Sequence, residues 1–146
     1  MAKWETSIFV QRSVEDVFAF VTDPRQGSKW HRSDEITPVS AGPIHEGSRY
    51  RVTGKFLLWK FDSETVVSQY EENRLVAYQA TSGPYPYVLR YIFEPVGTGT
   101  RLTEVGEAHP PPWMRMAIGL LAGNAKRNGE RGLRLLKSSL ESGASR

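Results

Sequence analysis

The sequence contains no cysteine. Disulfides and thiolate metal sites are therefore excluded, and a reducing compartment fits. No stretch approaches 18 consecutive apolar residues, and the opening Met-Ala-Lys-Trp-Glu-Thr holds no apolar run of signal length. The expectation is a cytoplasmic protein without an integral membrane segment. The three histidines, His31, His45 and His109, are not spaced as a ligand set, so no metal is expected. No Ser-His-acid arrangement can be assembled. Gly97-Thr98-Gly99 lies between two strand patterns, not between a strand and a helix, so it reads as a hairpin and not as a phosphate cradle. No cofactor is expected. There is no βαβ alternation, no internal repeat and no low-complexity domain.

What is present is a chain of 146 residues, which suits one domain spanning 1–146, with 142–146 as a frayed tail. A domain of this size buries roughly 68–70% of its unfolded surface, enough for a core without staples. The organising stretch is Trp113 to Leu140. At about 100° per residue, Met114, Ala117, Ile118, Leu121, Ala122, Ala125, Gly129, Gly132, Leu133, Leu135, Leu136 and Leu140 fall on one broad arc. Arg127, Glu130, Arg134 and Lys137 fall opposite, so the spacing predicts an amphipathic helix. Its inner arc carries small residues (Ala117, Ala122, Ala125, Gly129) and places Asn128 among apolar neighbours, with Asn124 at the edge. Two accounts fit. Either the helix packs on bulky strand residues, or it stands off the sheet and leaves a cavity.

Net charge is +3. Much of the excess lies on this helix, where Arg115, Lys126, Arg127, Arg131, Arg134 and Lys137 face only Glu130. An anionic partner surface is one explanation. A solvated face with cations toward the C-terminal end, favoured by the macrodipole, is the preferred one. No nucleic-acid partner is expected, and the chain is expected to be a monomer or homodimer.

From the N-terminus, Glu5 to Val10 alternates as a strand. Ser13 caps a short helix with Asp16 three residues on, a capping-box variant, and Val14, Val17, Phe18 and Val21 form its stripe. Pro24 stops it. Asp23 to Lys29 reads as a further irregular helical turn, and Trp30 anchors the loop after it. Strand patterns follow over Glu35–Ser40, Arg49–Lys55, Leu57–Gln69, Leu75–Thr81, Tyr87–Glu94 and Thr100–His109, with turns at Gly42, Gly47, Asn73, Gly83 and Gly97. Pro110-Pro111-Pro112 stiffens the lead-in to the last helix. Alternating meander strands bury one face, and the terminal helix is its natural cover. The fold class is α+β in two layers.

Ser-Ile-Phe-Val, then Ser-Val-Glu-Asp-Val-Phe-Ala-Phe-Val-Thr-Asp-Pro, then Trp30 resemble the opening of the polyketide cyclase/dehydrase-like branch of the START-related, Bet v 1-like superfamily. Tyr91-Ile-Phe-Glu-Pro, a glycine turn and Thr100-Arg-Leu-Thr-Glu are similar to its late hairpin, and the terminal helix ending Leu-Leu-Lys-Ser-Ser-Leu-Glu is also alike. The resemblance covers nearly the whole chain. It implies the helix-grip fold: an antiparallel sheet of about seven strands wrapped around a long C-terminal helix, with two short helices after the first strand and a deep apolar cavity. It implies no single reaction. Members bind lipids, sterols, polyketides or hormones, and some cyclise or dehydrate. The matching motifs define the fold and carry over no catalytic residue.

The residues themselves suggest the site. Tyr50, Trp59, Phe61, Tyr78, Leu89, Tyr91 and Phe93 fall on inner faces, with Trp30 nearby. A packed aromatic core explains Phe61 and Phe93 well. Tyr50, Tyr78 and Tyr91 differ, because a buried phenol needs a partner. They point to a buried hydrogen-bond network or to an apolar ligand site with a few polar points. Glu104 shares its face with Leu102, and burial would raise its pKa toward acid/base work. Pairing with Arg90 or another strand cation, or a bulge that turns it outward, would remove that role. The candidate ligand-binding set is Trp30, Tyr50, Trp59, Phe61, Tyr78, Leu89, Tyr91, Glu104, Leu121, Ala125 and Asn128. The expected function is binding of a small hydrophobic ligand such as a lipid, polyketide or other aromatic or isoprenoid metabolite. The alternative is a cyclase or dehydratase with Glu104 as its catalytic acid/base and Asn128 opposite.

Overall fold

In the computed structural model the described residues are 2–23, 26, 35–40, 42–56, 59–82, 86–109, 112–113 and 118–142, with the side chains of 2, 35–36, 54–56, 59–61 and 118–125 left aside. Nine elements follow one another. They are β1 (Ala2–Val10), α1 (Val14–Thr22), β2 (Glu35–Pro38), β3 (Arg49–Phe56), β4 (Trp59–Glu71), β5 (Leu75–Ala80), β6 (Tyr87–Val96), β7 (Gly99–Ala108) and α2 (Ile118–Glu141). The strands form one antiparallel sheet in the order β1-β7-β6-β5-β4-β3-β2. Successive hairpin partners run from β2 to β7, and the first strand returns to pair with the last. This is the arrangement expected for a helix-grip fold.

Most strand ends differ from the sequence pattern by a residue or two. β1 begins at Ala2, not Glu5, because pairing with β7 runs on from Thr6↔Glu104 to Ala2↔Ala108. α2 is described from Ile118, Pro112–Trp113 form a 3₁₀ turn, and the part of the expected helix over 114–117 lies outside the described residues. Of the extra helical turn expected over Asp23–Lys29, only Asp23 and Gln26 are described, joined by Gln26 N–H donating to the Asp23 carbonyl at 3.0 Å. Asn73 turns the chain between β4 and β5 with φ 62°, a left-handed conformation that asparagine tolerates.

α1 forms for local reasons. Ser13 is extended and its Oγ accepts from Asp16 N–H. The reciprocal arm of a capping box is missing, because the Asp16 carboxylate pairs with Arg12 at 2.8 Å instead. The stripe of α1 buries Val17, Phe18 and Val21. Phe18 sets its ring edge-on to Phe93 at 4.9 Å and to Tyr70 at 5.5 Å.

α2 lies along β1 and buries Leu133, Leu136 and Leu140 almost completely. Leu135 does not join them. It is exposed, because about 200° of rotation separates it from Leu133 and the buried arc is narrower than expected. The C-terminal end of α2 is tied to the β1–α1 junction by polar groups. Arg12 donates to the Leu140 carbonyl at 2.6 Å, Gln11 N–H donates to Glu141 Oε2 at 2.8 Å, and Lys137 Nζ donates to the Phe9 carbonyl at 2.6 Å. A cation on a terminal carbonyl satisfies a group that no further helical turn can reach. Lys126, Arg127, Arg131 and Arg134 are exposed, and among the described residues none forms an ion pair. The last turn holds no basic residue, so the macrodipole does not explain where these cations sit.

Candidate functional site

The site is assembled by strand phase. On β1, Trp4, Thr6, Ile8 and Val10 share the inner face. On β7, Leu102, Glu104, Gly106 and Ala108 are buried in sequence. Register sets Trp4 opposite Gly106 and Thr6 opposite Glu104 on one side, and Tyr91 opposite Glu104 on the other. Glu104 is only 4% exposed. Its carboxylate is nevertheless supplied with donors. The Tyr91 hydroxyl donates to Oε1 at 2.9 Å and the Trp4 indole N–H donates to Oε2 at 3.2 Å. A buried charge is costly without partners, and here two neutral donors serve that need. Among the described residues no cation pairs with Glu104. Arg90, the alternative partner suggested by the sequence, donates to Gln69 at 3.4 Å instead.

Two glycines make this arrangement possible. A Cβ at Gly106 would fall inside the Trp4 indole. The missing side chain lets the ring lie across β7 with its N–H near the carboxylate. A Cβ at Gly129 would overlap Glu104 Oε2, and would stand 3.2 Å from Glu104 Cδ and 3.3 Å from Thr6 Cγ2. The backbone of α2 therefore passes directly over the carboxylate at Gly129. At this point helix and sheet are in close contact.

A row of phenols runs from Glu104 across the inner face. The Tyr91 and Tyr78 rings are 6.3 Å apart, and Tyr78 and Tyr50 are 6.5 Å apart, both edge-on. Burial, with the Glu104 carboxylate beside it, holds the Tyr91 phenol well above its ordinary value. Burial likewise pushes Tyr78 far up, and raises Tyr50 with help from Asp23. Tyr91 is 2% exposed, whereas Tyr78 is only half-buried. Among the described residues the one enclosed side-chain polar atom without a partner is Gln26 Oε1. The Tyr78 hydroxyl makes no hydrogen bond to a described residue.

The structure thus brings together Tyr50, Tyr78, Tyr91 and Glu104 from the expected set. Leu89 is half-buried and packs against the core beside them. Asn128 precedes Gly129 on α2, is half-buried and has an interaction partner. Trp30 lies outside the described residues, as do the side chains of Trp59, Phe61, Leu121 and Ala125, whose backbones belong to β4 and α2. Phe93 belongs to the packed core with Phe18. His109 is exposed at the end of β7. Trp4 is absent from the expected set, because the strand pattern taken from Glu5 onward leaves it out. The signal is present in the sequence: Trp4 continues the phase of Thr6, Ile8 and Val10.

A cleft of about 190 Å³ lies elsewhere, between α1 and the end of α2, lined by Arg12, Asp16, Phe20, Asp23, Gln26 and Leu140. None of the expected site residues borders it. Among the described residues, no three metal-binding side chains are grouped to hold an ion. No helix among them is long and apolar enough to cross a membrane.

Known proteins place this geometry in context. A family model described as polyketide cyclase/dehydrase and lipid transport matches residues 1–141. No curated protein matches. Among solved structures, a protein from Thermus thermophilus is similar with a TM-score of 0.82 and 15% identity, over 97% of this chain and 98% of that one. A START superfamily protein from Mycobacterium smegmatis gives a TM-score of 0.69 at 17% identity, over 97% and 96% of the two chains. The di-domain ARO/CYC StfQ from the steffimycin biosynthetic pathway gives a TM-score of 0.79 at 14% identity, with 99% of this chain covering 52% of that one. At such identities the likeness establishes the helix-grip fold alone. The family match spans almost all of the sequence, and the chain belongs to the polyketide cyclase/dehydrase and lipid-transport family.

Proposed function

We propose that this protein binds a small hydrophobic ligand between the inner face of the sheet and α2. One observation carries the reading: three tyrosine rings stand edge-on in a row across the inner face, and the hydroxyl of the middle one, Tyr78, makes no hydrogen bond to a described residue. A site that is mostly apolar with a few placed polar groups is what such ligands require. The row Tyr50, Tyr78, Tyr91 supplies both the apolar rings and the polar tips. Native mass spectrometry of freshly purified protein, followed by organic extraction, tests it. A co-purifying apolar metabolite supports the reading. A protein that arrives empty and shows no thermal shift with any hydrophobic ligand goes against it, because a ligand specific for the folded state must raise stability.

The buried carboxylate favours a second reading, in which Glu104 acts as acid/base on a polyketide-like substrate. It ranks below binding, since both Glu104 oxygens already accept hydrogen bonds and Gly129 of α2 covers Oε2. Turnover of such a substrate that survives Glu104→Gln unchanged would remove it.

A further inference from the structure

We infer that the ligand presents an uncharged hydrogen-bond acceptor, a carbonyl-type oxygen, to the Tyr78 hydroxyl, and that Glu104 turns away ligands bearing a carboxylate at that end. This rests on the binding reading above and narrows it to a chemical class.

The polar groups of the inner face are not equivalent. The Tyr91 proton is committed to Glu104 Oε1, and the Trp4 N–H is committed to Oε2. α2 closes over Oε2 at Gly129. Glu104 therefore offers a ligand its charge but little access to its oxygens. Both of those oxygens accept hydrogen bonds from neighbours and neither donates one, the acceptor-only pattern of an ionised carboxylate. Tyr78 is the next phenol in the row, and its hydroxyl has no described partner. Burial keeps it protonated, so it is a donor. A donor that no described group pairs is available to a ligand oxygen, and a net hydrogen bond of this kind contributes about 1 kcal/mol, roughly fivefold in affinity. Tyr50 stands one ring farther from Glu104 and offers a second donor along the same row.

Charge sets the other half of the selection. A ligand atom bonded to Tyr78 sits close to Glu104, since the Tyr78 ring is 6.3 Å from the Tyr91 ring that contacts the carboxylate. For a second carboxylate at roughly 9 Å, with an effective dielectric of about 20, repulsion weakens binding by on the order of twentyfold. A neutral ketone or ester carries no such penalty and keeps the hydrogen bond.

Three probes of one shape separate the possibilities: 2-acetylnaphthalene, 2-ethylnaphthalene and 2-naphthoate. Each competes against the uncharged dye Nile red at pH 8, where the acid is ionised. The expected order is the ketone about five- to tenfold tighter than the ethyl compound, the scale of one net hydrogen bond, with naphthoate weakest. Tyr78→Phe should level the ketone with the ethyl compound, and Glu104→Gln should improve naphthoate about twentyfold. Thermal unfolding of each variant reports its folding, and the wild-type comparison needs no variant at all. Nile red uptake with no preference for the ketone, including displacement by none of the probes, overturns this inference and leaves the container intact. Naphthoate binding as well as the ketone overturns the exclusion by Glu104. Failure of the wild type to take up dye or any probe removes the container itself.

Discussion

Gly129→Ala places two effects in opposition. In an ordinary helix interior, alanine in place of glycine gains about 0.8–1.0 kcal/mol. Here the new methyl would overlap Glu104 Oε2 and press on Glu104 Cδ and Thr6 Cγ2. The carboxylate is held on both sides, by Tyr91 at 2.9 Å and by Trp4 at 3.2 Å, so it cannot swing away freely. Forcing an extra methyl into a packed site costs about 1–3 kcal/mol. The net effect should run from near zero to about 2 kcal/mol of destabilisation, instead of the usual gain. In a Glu104→Ala background the obstructing atoms are gone, and the gain of about 1 kcal/mol should reappear. Glu104→Ala itself leaves Trp4 and Tyr91 without their acceptor and is weaker to begin with, but that loss cancels within the background. The cycle should thus give a coupling of about 1–3 kcal/mol between positions 104 and 129. Urea unfolding of the four proteins, followed by tryptophan fluorescence and compared at constant m-value, measures it. An equal gain of about 1 kcal/mol in both backgrounds would refute the close passage of α2 over the carboxylate.

Three further outcomes are expected. Leu136→Ala empties a fully buried site on α2 and should cost about 2–5 kcal/mol in urea unfolding, whereas Leu135→Ala, at a position 44% exposed, should stay within about 0.5 kcal/mol. Glu141 has its pKa lowered, first by the Gln11 N–H and then by Lys137; a depressed carboxylate contributes stability above its unfolded value that is lost as pH falls through the lowered folded value, so Glu141→Gln should flatten the acid limb of the urea midpoint plotted against pH. Tyr78 and Tyr91 have raised pKa values from burial, so their contribution is complete below the ordinary phenol range and is lost as pH rises through the raised folded values; phenolate absorbance of the folded protein should therefore show these two ionising only as it unfolds, and early titration of every tyrosine would count against an interior row.

Much of the fold was legible because its signals are local. Alternation alone put Leu102 and Glu104 on one face, and a period of 3.6 put Leu133, Leu136 and Leu140 on another. Ser13 announced α1 by a bond that closes within three residues. Such patterns need no knowledge of what lies across the chain, and the order of strands and helices follows from them.

What the sequence determined, then, was which side chains turn inward. Tertiary structure alone decided what each one meets there. Trp4 reaches Glu104 across 100 positions of chain, through a register between β1 and β7 that no local period encodes. Gly129, one of several small residues on its helix, acquired a particular meaning only when α2 came to lie over the carboxylate. Arg90 had the right charge to partner Glu104 but leaves the sheet on the other side, as the pleat requires of alternate residues. Tyr91 and Tyr78 look alike in sequence. One is bound to Glu104 and the other is not, because pairing places only Tyr91 directly opposite the carboxylate.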